Sequence, residues 1–295
     1  METTTDERLH PFDEHRPLLF SLAYEMLGSV ADAEDVLQEA YLRWQRVDTP
    51  SVHSPRDYLC TIVTRLALDQ LRSARARREV YVGPWLPEPL VGAAHGNALE
   101  SLELSETLST AFLLLLERLT PPQRAAFLLH EVFGYGYPEV ARILETSEPN
   151  ARQHVHRARR FITEGRPRFD AASGRADDLA QRFLDACTTG DVGRLVEMLA
   201  GDAVAWSDGG GRVAAARHPI RGAEHVARFL TKVVGKWLRD GEVRNTPVNG
   251  GPGLLAYIAG APWAVLSVSA RGGQVREIYL VANPDKLRIP PELAD

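Results

Sequence analysis

The residues of this chain best suited to chemistry crowd into the eleven positions from Asn150 to Arg160. Asn150, Arg152, Gln153, His154, His156, Arg157, Arg159 and Arg160 leave only Ala151, Val155 and Ala158 as an apolar stripe. Amide side chains can bond the edge of adenine in pairs, and a guanidinium can fork onto guanine or close on a phosphate. The spacing predicts a helix with one thin buried seam and polar groups on its other faces. Asn150, Arg152, Gln153 and His154 stand near its start, where base edges would be met; Arg157, Arg159 and Arg160 suit phosphates.

The elements that position this helix are legible on either side. Just before it, Val140, Ile143 and Leu144 fall on one helical face, with Ala141 small enough for a close crossing. The pattern stops at Thr146-Ser147, where Ser147 can cap a new helix and Pro149 is tolerated in the first turn. Two short helices joined tightly read as a helix-turn-helix; taken alone, the stretch also fits a helical hairpin with a solvated basic face. Upstream, Leu18–Leu27 and Ala31–Trp44 are amphipathic helices separated by Gly28-Ser29. The second turns Val36, Leu37, Ala40, Tyr41 and Trp44 inward and shows Asp32, Glu34, Asp35, Gln38 and Glu39 outward. After the turn formers of Val47–Pro55, Arg56–Arg78 forms a helix whose last turns are nearly all arginine. Apolar helices over Glu106–Glu117 and Gln123–Val132 lead into the helix-turn-helix.

Charge limits how such a protein meets DNA. The net charge is −5, with 31 Arg and three Lys among its basic residues. Residues 1–165 carry 17 Arg against 24 acidic residues, so the half with the basic helices is the acidic half. Its positive charge is confined to Arg65–Arg78 and Arg152–Arg160, a layout for meeting DNA within a larger assembly. Cys60 and Cys187 lie far apart inside apolar patterns and are expected as buried, reduced thiols. The acidic N-terminus has no apolar segment, so no secretory leader is expected. The longest apolar run, Leu254–Ala270, is interrupted at Gly260-Ala261-Pro262 and reads as two strands around a turn, too short for a membrane span.

GSVADAEDVLQEAYLRW, SPRDYLCTIVTRLALDQLRSARARR and the helix-turn-helix, in that order over residues 10–163, resemble the extracytoplasmic-function sigma factors of bacterial RNA polymerase. The resemblance implies that the Ala31–Trp44 helix docks on the clamp helices of the polymerase β′ subunit through Asp35, Gln38 and Glu39, and that the terminal module meets the β flap. It also implies that the Val47–Pro55 loop and the helix after it open the −10 element, with Arg65, Arg72, Arg75, Arg77 and Arg78 on the DNA, while the helix-turn-helix reads the −35 element. Many members have Asn where this chain has Arg65. Tyr58 is a candidate platform for a flipped base and equally a candidate core residue.

Residues 81–105 read as a linker, yet Trp85-Leu86-Pro87-Glu88-Pro89-Leu90 is too apolar and too stiff for a free tether. It is expected either to dock elsewhere, with Trp85 as the anchor, or to pack on its own domain. Past a polar hinge at 164–175, two helices (Asp177–Thr188, Asp191–Leu199), a third at Ala223–Trp237 and six alternating segments make an α+β domain over 176–289. The six segments are Ala203–Ser207, Val213–Ala216, Val243–Val248, Leu254–Ile258, Ala264–Val268 and Val275–Val281. This domain resembles the SnoaL-like cone-shaped barrels. Asp208-Gly209-Gly210-Gly211-Arg212, Asn283-Pro284-Asp285-Lys286-Leu287 and the linker phrase together resemble the sigma subgroup with a fused SnoaL-like extension.

The expected architecture is therefore multidomain: an all-α sigma region 2 (10–80), the linker, an all-α sigma region 4 (106–163), the hinge, and the SnoaL-like domain. Asp208, Gly209, Gly210, Asn283, Pro284 and Asp285, with Trp85, Leu86 and Pro87, are the expected regulatory contacts, made on the linker or on the N-terminal sigma domain. The expected function is a cytoplasmic, non-enzymatic sigma factor with core RNA polymerase and promoter DNA as partners, no membrane partner, no catalytic residues, no cofactor and no metal. Its barrel is a candidate pocket for a small molecule. Two other readings remain on these residues: a stand-alone ligand-responsive regulator, and a cyclase- or isomerase-like enzyme with a DNA-binding arm. The enzyme would draw on Trp206, Asp208, His218 and Tyr257 inside the cone.

Overall fold

The computed structural model describes residues 3–47, 52–79, 81–92, 108–165, 173–287 and 289, and divides into two compact units. The first is helical. Helices α1 (Thr3–Leu27), α2 (Val30–Trp44) and α3 (Pro55–Glu79) pack on one another through Leu19, Leu22, Met26, Val36, Leu37, Trp44, Leu59 and Val63, all buried. Gly28, at φ 66°, ends α1 in the left-handed region a side chain would resist, and Ser29 then caps α2 by accepting from the Asp32 amide at 3.2 Å. Next come α4 (Thr110–Glu117), α5 (Pro121–Phe127), a single π turn (Leu128–Val132), α6 (Tyr137–Ile143) and α7 (Glu148–Gly165). The helix expected over Gln123–Val132 is thus two pieces, an α turn that widens into the π turn.

Arginines bolt the two halves of this unit together at helix ends, where terminal carbonyls have no partner inside their own helix. The Arg65 Nε donates to the Ile143 carbonyl at 3.2 Å and Nη2 to the Arg142 carbonyl at 3.3 Å, while Nη1 pairs with Glu145 at 3.0 Å. Arg56 reaches the Phe133 carbonyl, at the end of the π turn, at 3.3 Å. Arg124, only 3% exposed, donates from Nη1 to the Met26 carbonyl at 2.5 Å and to Glu117 at 2.6 Å. Each cation closes the carbonyl end of a helix in the other half, where the helix dipole also favours it. Beside these contacts Cys60 is buried, and burial pushes its thiol pKa up to about 11. Cys187, in the other unit, is likewise buried, and both cysteines are free.

The second unit is α+β. Helices α8 (Ser173–Thr189), α9 (Val192–Met198) and α10 (Ala223–Asp240) cover one face of a six-stranded sheet. The strands are β1 (Leu199–Asp208), β2 (Ile220–Arg221), β3 (Gly241–Val248), β4 (Gly251–Ile258), β5 (Ala261–Arg271) and β6 (Gln274–Val281). Their order is β2-β1-β6-β5-β4-β3; the β1–β6 pair is parallel and the other four are antiparallel. Alternation divides the faces. Ala203, Ala205, Leu254, Ala256, Ala264, Leu266, Ile278 and Leu280 meet Phe183, Leu184, Leu230, Val234 and Trp237 on the helix side. Leu255, Tyr257 and Val265 turn the other way and meet Val91 and Val248.

One expected strand is absent. Val213–Ala216 forms no strand, because the Gly209 carbonyl accepts from both the Arg212 and Val213 amides (2.9 and 3.2 Å) and folds that segment into a turn. The edge of β1 is taken instead by Ile220–Arg221.

Replacing Arg124 by Met should lower urea stability by about 3–5 kcal/mol, since Glu117 and the Met26 carbonyl would lose their buried donor. A loss below roughly 1 kcal/mol would show that the interior bolt contributes little.

Candidate functional site

On the recognition helix α7, Ala151, Val155, Ala158 and Ile162 are buried, and Asn150, Arg152, Gln153, His156, Arg157, Arg159 and Arg160 face solvent. Three of its four arginines are occupied by carboxylates. Arg152 pairs with Glu148 at 2.6 Å, Arg159 with Glu131, and Arg160 with Glu164 at 2.7 Å. Among the described residues Arg157 has no ion-pair partner. Exposed pairs of this kind contribute roughly 0–1 kcal/mol, so they add little to the fold. The Asn150 amide donates to Thr146 at 3.1 Å. His154 departs from expectation: it is half-buried, its Nδ1 has no hydrogen-bond partner among the described residues, and burial lowers its pKa, with Arg157 adding to the effect. It leans into the module rather than out toward a base.

The α2 face is simpler. Asp35, Gln38 and Glu39 are exposed, and Leu42, one turn further along, is 41% exposed where burial is usual for leucine. Positions 35, 38, 39 and 42 form one stripe at helical spacing. Leu42 was missed in the sequence; an apolar residue out of phase with the inward stripe is the signal that marks it. On α3, Arg72 is exposed and pairs with Asp69 at 3.3 Å, and Tyr58 is 36% exposed against the Trp44 ring. Arg65, expected at DNA, caps α6 in this structure, where its side chain leaves α3 on the side on which the helix-turn-helix packs. Arg75, Arg77 and Arg78 lie on the helical backbone of α3, and their side chains fall outside the described residues.

In the second unit three separated phrases converge on one carboxylate. Asp208 is fully buried. Its Oδ1 accepts from the Tyr81 hydroxyl at 2.6 Å and the Gly210 amide at 3.0 Å, and its Oδ2 from the Leu86 amide at 2.9 Å and Lys286 Nζ at 2.8 Å. Lys286 also donates to the Leu86 carbonyl at 2.5 Å and lies 4.4 Å from the Trp85 ring centre and 4.9 Å from that of Tyr81. Asn283 donates to the Tyr81 oxygen at 2.8 Å and accepts from the Asp285 amide at 3.1 Å, opening the short turn Pro284–Lys286. Asp285 forms an exposed pair with Arg212 at 3.2 Å.

The glycines are needed for close approach. A Cβ on Gly210, whose φ is +59°, would land on the Asn283 amide, and one on Gly209 would stand 2.6 Å from the Val213 carbonyl. Burial and the neighbouring Asp208 both raise the Tyr81 pKa, keeping the phenol a donor. Further along, Leu90 and Asn249 exchange bonds at 3.3 and 2.8 Å, and Val91 bridges Val248.

Leu86 and Leu90, at 0% and 1% exposure, are the apolar anchors. Trp85, the expected anchor, is half-buried and offers its face to the ammonium. Tyr81 and Asn249 were missed, and within the Asn283–Leu287 phrase nothing singled out Lys286. A lysine in a chain with only three was the available signal for the last.

The four residues expected inside the cone do not meet there. Trp206 stacks on Tyr279 at 5.4 Å, and it, Asp208 and Tyr257 alternate out of phase with the strand residues that face the helices. His218 is exposed on a loop. Among the described residues no group of three or more His, Cys, Asp or Glu is placed to hold a metal, and no helix is long and apolar enough to cross a membrane.

Sigma-70 region 2 matches residues 12–77, and Sigma-70, region 4 matches residues 109–162, which defines a sigma factor. More narrowly, the chain belongs to the ECF RNA polymerase sigma factors, a non-enzymatic family whose members bind core RNA polymerase and promoter DNA and direct transcription initiation. It is similar to ECF RNA polymerase sigma factor SigJ of Mycobacterium tuberculosis, at 38% identity over 95% of this chain and 93% of that protein. Probable ECF RNA polymerase sigma factor SigI of the same species is 31% identical over 92% of each. The crystal structure of SigJ matches with a TM-score of 0.78 at 35% identity, covering 96% of this chain and 99% of that one. The helical modules and the C-terminal SnoaL-like α+β fold are those of this group.

Replacing Asp208 by Asn removes the charge opposite Lys286 and turns an acceptor into a donor among donors. The Leu86 and Leu90 amides should then exchange hydrogen on the order of a hundredfold faster, while Leu266 in the sheet keeps its rate. Unchanged exchange at Leu86 would remove Asp208 from the centre of the site.

Proposed function

We propose that α2 is the polymerase-docking element, α7 the reader of the −35 element, and α3 with the loop before it the −10 module. The single observation that carries the polymerase assignment is the exposed stripe Asp35, Gln38, Glu39 and Leu42 on a helix whose opposite face is buried in its bundle. Three polar or acidic groups beside one apolar side chain suit docking on the β′ clamp helices, and region 4 would take the β flap. The protein works in the cytoplasm, where polymerase and promoters are. The proposed bounds are region 2 at 10–80, region 4 at 106–163 and the SnoaL-like domain at 176–289.

Self-restraint is part of this reading. The −10 and −35 elements lie about 25 base pairs apart, on the order of 80 Å of duplex at 3.4 Å per pair. Modules bolted together by Arg56, Arg65 and Arg124 have to part before both elements can be met. Linker residues 81–92, tied to Asp208, Asn249 and Lys286, must be free to follow them. The C-terminal domain therefore restrains the sigma modules in cis by holding their connection. Self-paired arginines on α7 and a net charge of −5 support weak DNA binding by the free chain and strong binding within holoenzyme. The helix-side core is filled by apolar side chains such as Phe183, Leu230 and Trp237, which favours a structural role for the domain over ligand capture.

Reversing both charges in an Asp35→Lys, Glu39→Lys variant should weaken core polymerase binding about tenfold or more. Its thermal melt should stay near wild type, since the two side chains are exposed and Glu39 has only the exposed Arg43 pair. Wild-type affinity in a pull-down titration would sink the α2 assignment.

A further inference from the structure

Arg152 is held more firmly than a surface arginine needs to be. Its guanidinium lies 4.3 Å from the centre of the Tyr137 ring, and Tyr137 stacks on His130 at 4.2 Å with 26° between the planes. His130 is itself fixed, its Nδ1 2.7 Å from the Tyr135 carbonyl oxygen, on the π turn ahead of the helix-turn-helix. From the recognition helix, Glu148 Oε1 accepts from Arg152 Nε at 3.1 Å and from Nη2 at 2.6 Å. Both bonds use the long edge of the guanidinium. The end edge, Nη1 with the second N–H of Nη2, has no partner among the described residues, and the side chain is 57% exposed.

A guanidinium with its long edge paired, its face stacked and its end edge open is a fork already aimed outward. Two parallel N–H groups on that edge match O6 and N7 of guanine, the acceptor pair of the major groove. Exposed ion pairs add little to folding, so stability does not account for the arrangement. Its value lies in recognition, because a side chain ordered beforehand loses less freedom when it docks. We propose, on the −35 reading given above, that Tyr137 and Glu148, with His130 behind them, are positioning residues that aim Arg152 end-on at a guanine of the −35 element.

The test is selection of a random-sequence duplex pool by holoenzyme assembled from the full chain and core RNA polymerase. Wild type should enrich a G·C pair at one −35 position by roughly tenfold over other pairs, and Arg152→Lys, which keeps the charge and loses the fork, should erase that preference alone. Glu148→Gln and Tyr137→Leu should each cut the preference several-fold at the same pair and leave the other positions as they were. Tyr137→Phe should retain it, which separates the ring from the hydroxyl. A merely structural role would lower binding to every sequence alike. Positioning is overturned if Arg152→Lys erases the preference while Glu148→Gln and Tyr137→Leu leave it intact. Enrichment of a base other than guanine at the Arg152-dependent pair also overturns it. Failure of wild-type holoenzyme to enrich any −35 sequence overturns the −35 reading itself.

Discussion

A carboxylate with no access to water must be surrounded by donors, and Asp208 obtains its four from three distant parts of the chain. Tyr81 and Leu86 come from the linker, Gly210 from the turn after β1, and Lys286 from the turn after β6. Burying a lone charge in this way would cost several kcal/mol, so the surrounding geometry follows from the need to satisfy it. The parallel pairing of β1 with β6 sets Asp208 beside Val281 and thereby brings the Asn283–Leu287 turn to the end of β1. Glycines at 209 and 210 let that turn close, and the Lys286 ammonium then clamps the backbone of Leu86. Linker and SnoaL-like domain form one structural unit as a consequence.

The helical unit follows the same logic with the signs exchanged. There the unsatisfied groups are helix-terminal carbonyls, and arginines from the opposite half supply the donors. Arg65 illustrates the tension this creates. A guanidinium spent on the Ile143 carbonyl and Glu145 is closed to any other acceptor in this arrangement. The Arg159 and Arg160 ion pairs on α7 act alike at the surface, where single carboxylates hold both cations close to neutral. An acidic sigma factor is coherent on these terms, since polymerase rather than bulk charge brings it to DNA.

What the sequence made legible was local. Helical periodicity placed α2 and α7 within a few residues, and the buried seam Ala151, Val155 and Ala158 is the one that packs. The strands β3 to β6 were readable because apolar residues face the helices and turn formers such as Gly260 mark the strand ends. Val213–Ala216 alternates too, yet hydrogen bonds to Gly209 decide its fate, and propensity does not register them. The Arg65 cap on Ile143 is invisible in the sequence, because composition cannot say which side of a helix a neighbouring module will occupy. Size points to Trp85 as the anchor, whereas Leu86 and Leu90 are the buried residues and Trp85 serves the ammonium. The three phrases around Asp208 were visible, but the hydrogen bonds that join them depend on the β1–β6 pairing and could not be written from spacing alone.

The central claim is that the contacts after β6 keep the linker, and with it the sigma modules, restrained. The most direct measurement is single-round transcription from a cognate promoter, reconstituted with core polymerase and limiting amounts of either the full chain or a chain ending after Val281. The shorter chain lacks Asn283 and Lys286, so Tyr81, Leu86 and Asp208 lose their outer partners. Release of the linker should raise the yield of promoter-initiated RNA per sigma, with the open-complex start site unchanged. Equal or lower yield from a shortened chain that still folds and still binds core polymerase would contradict restraint by the clasp.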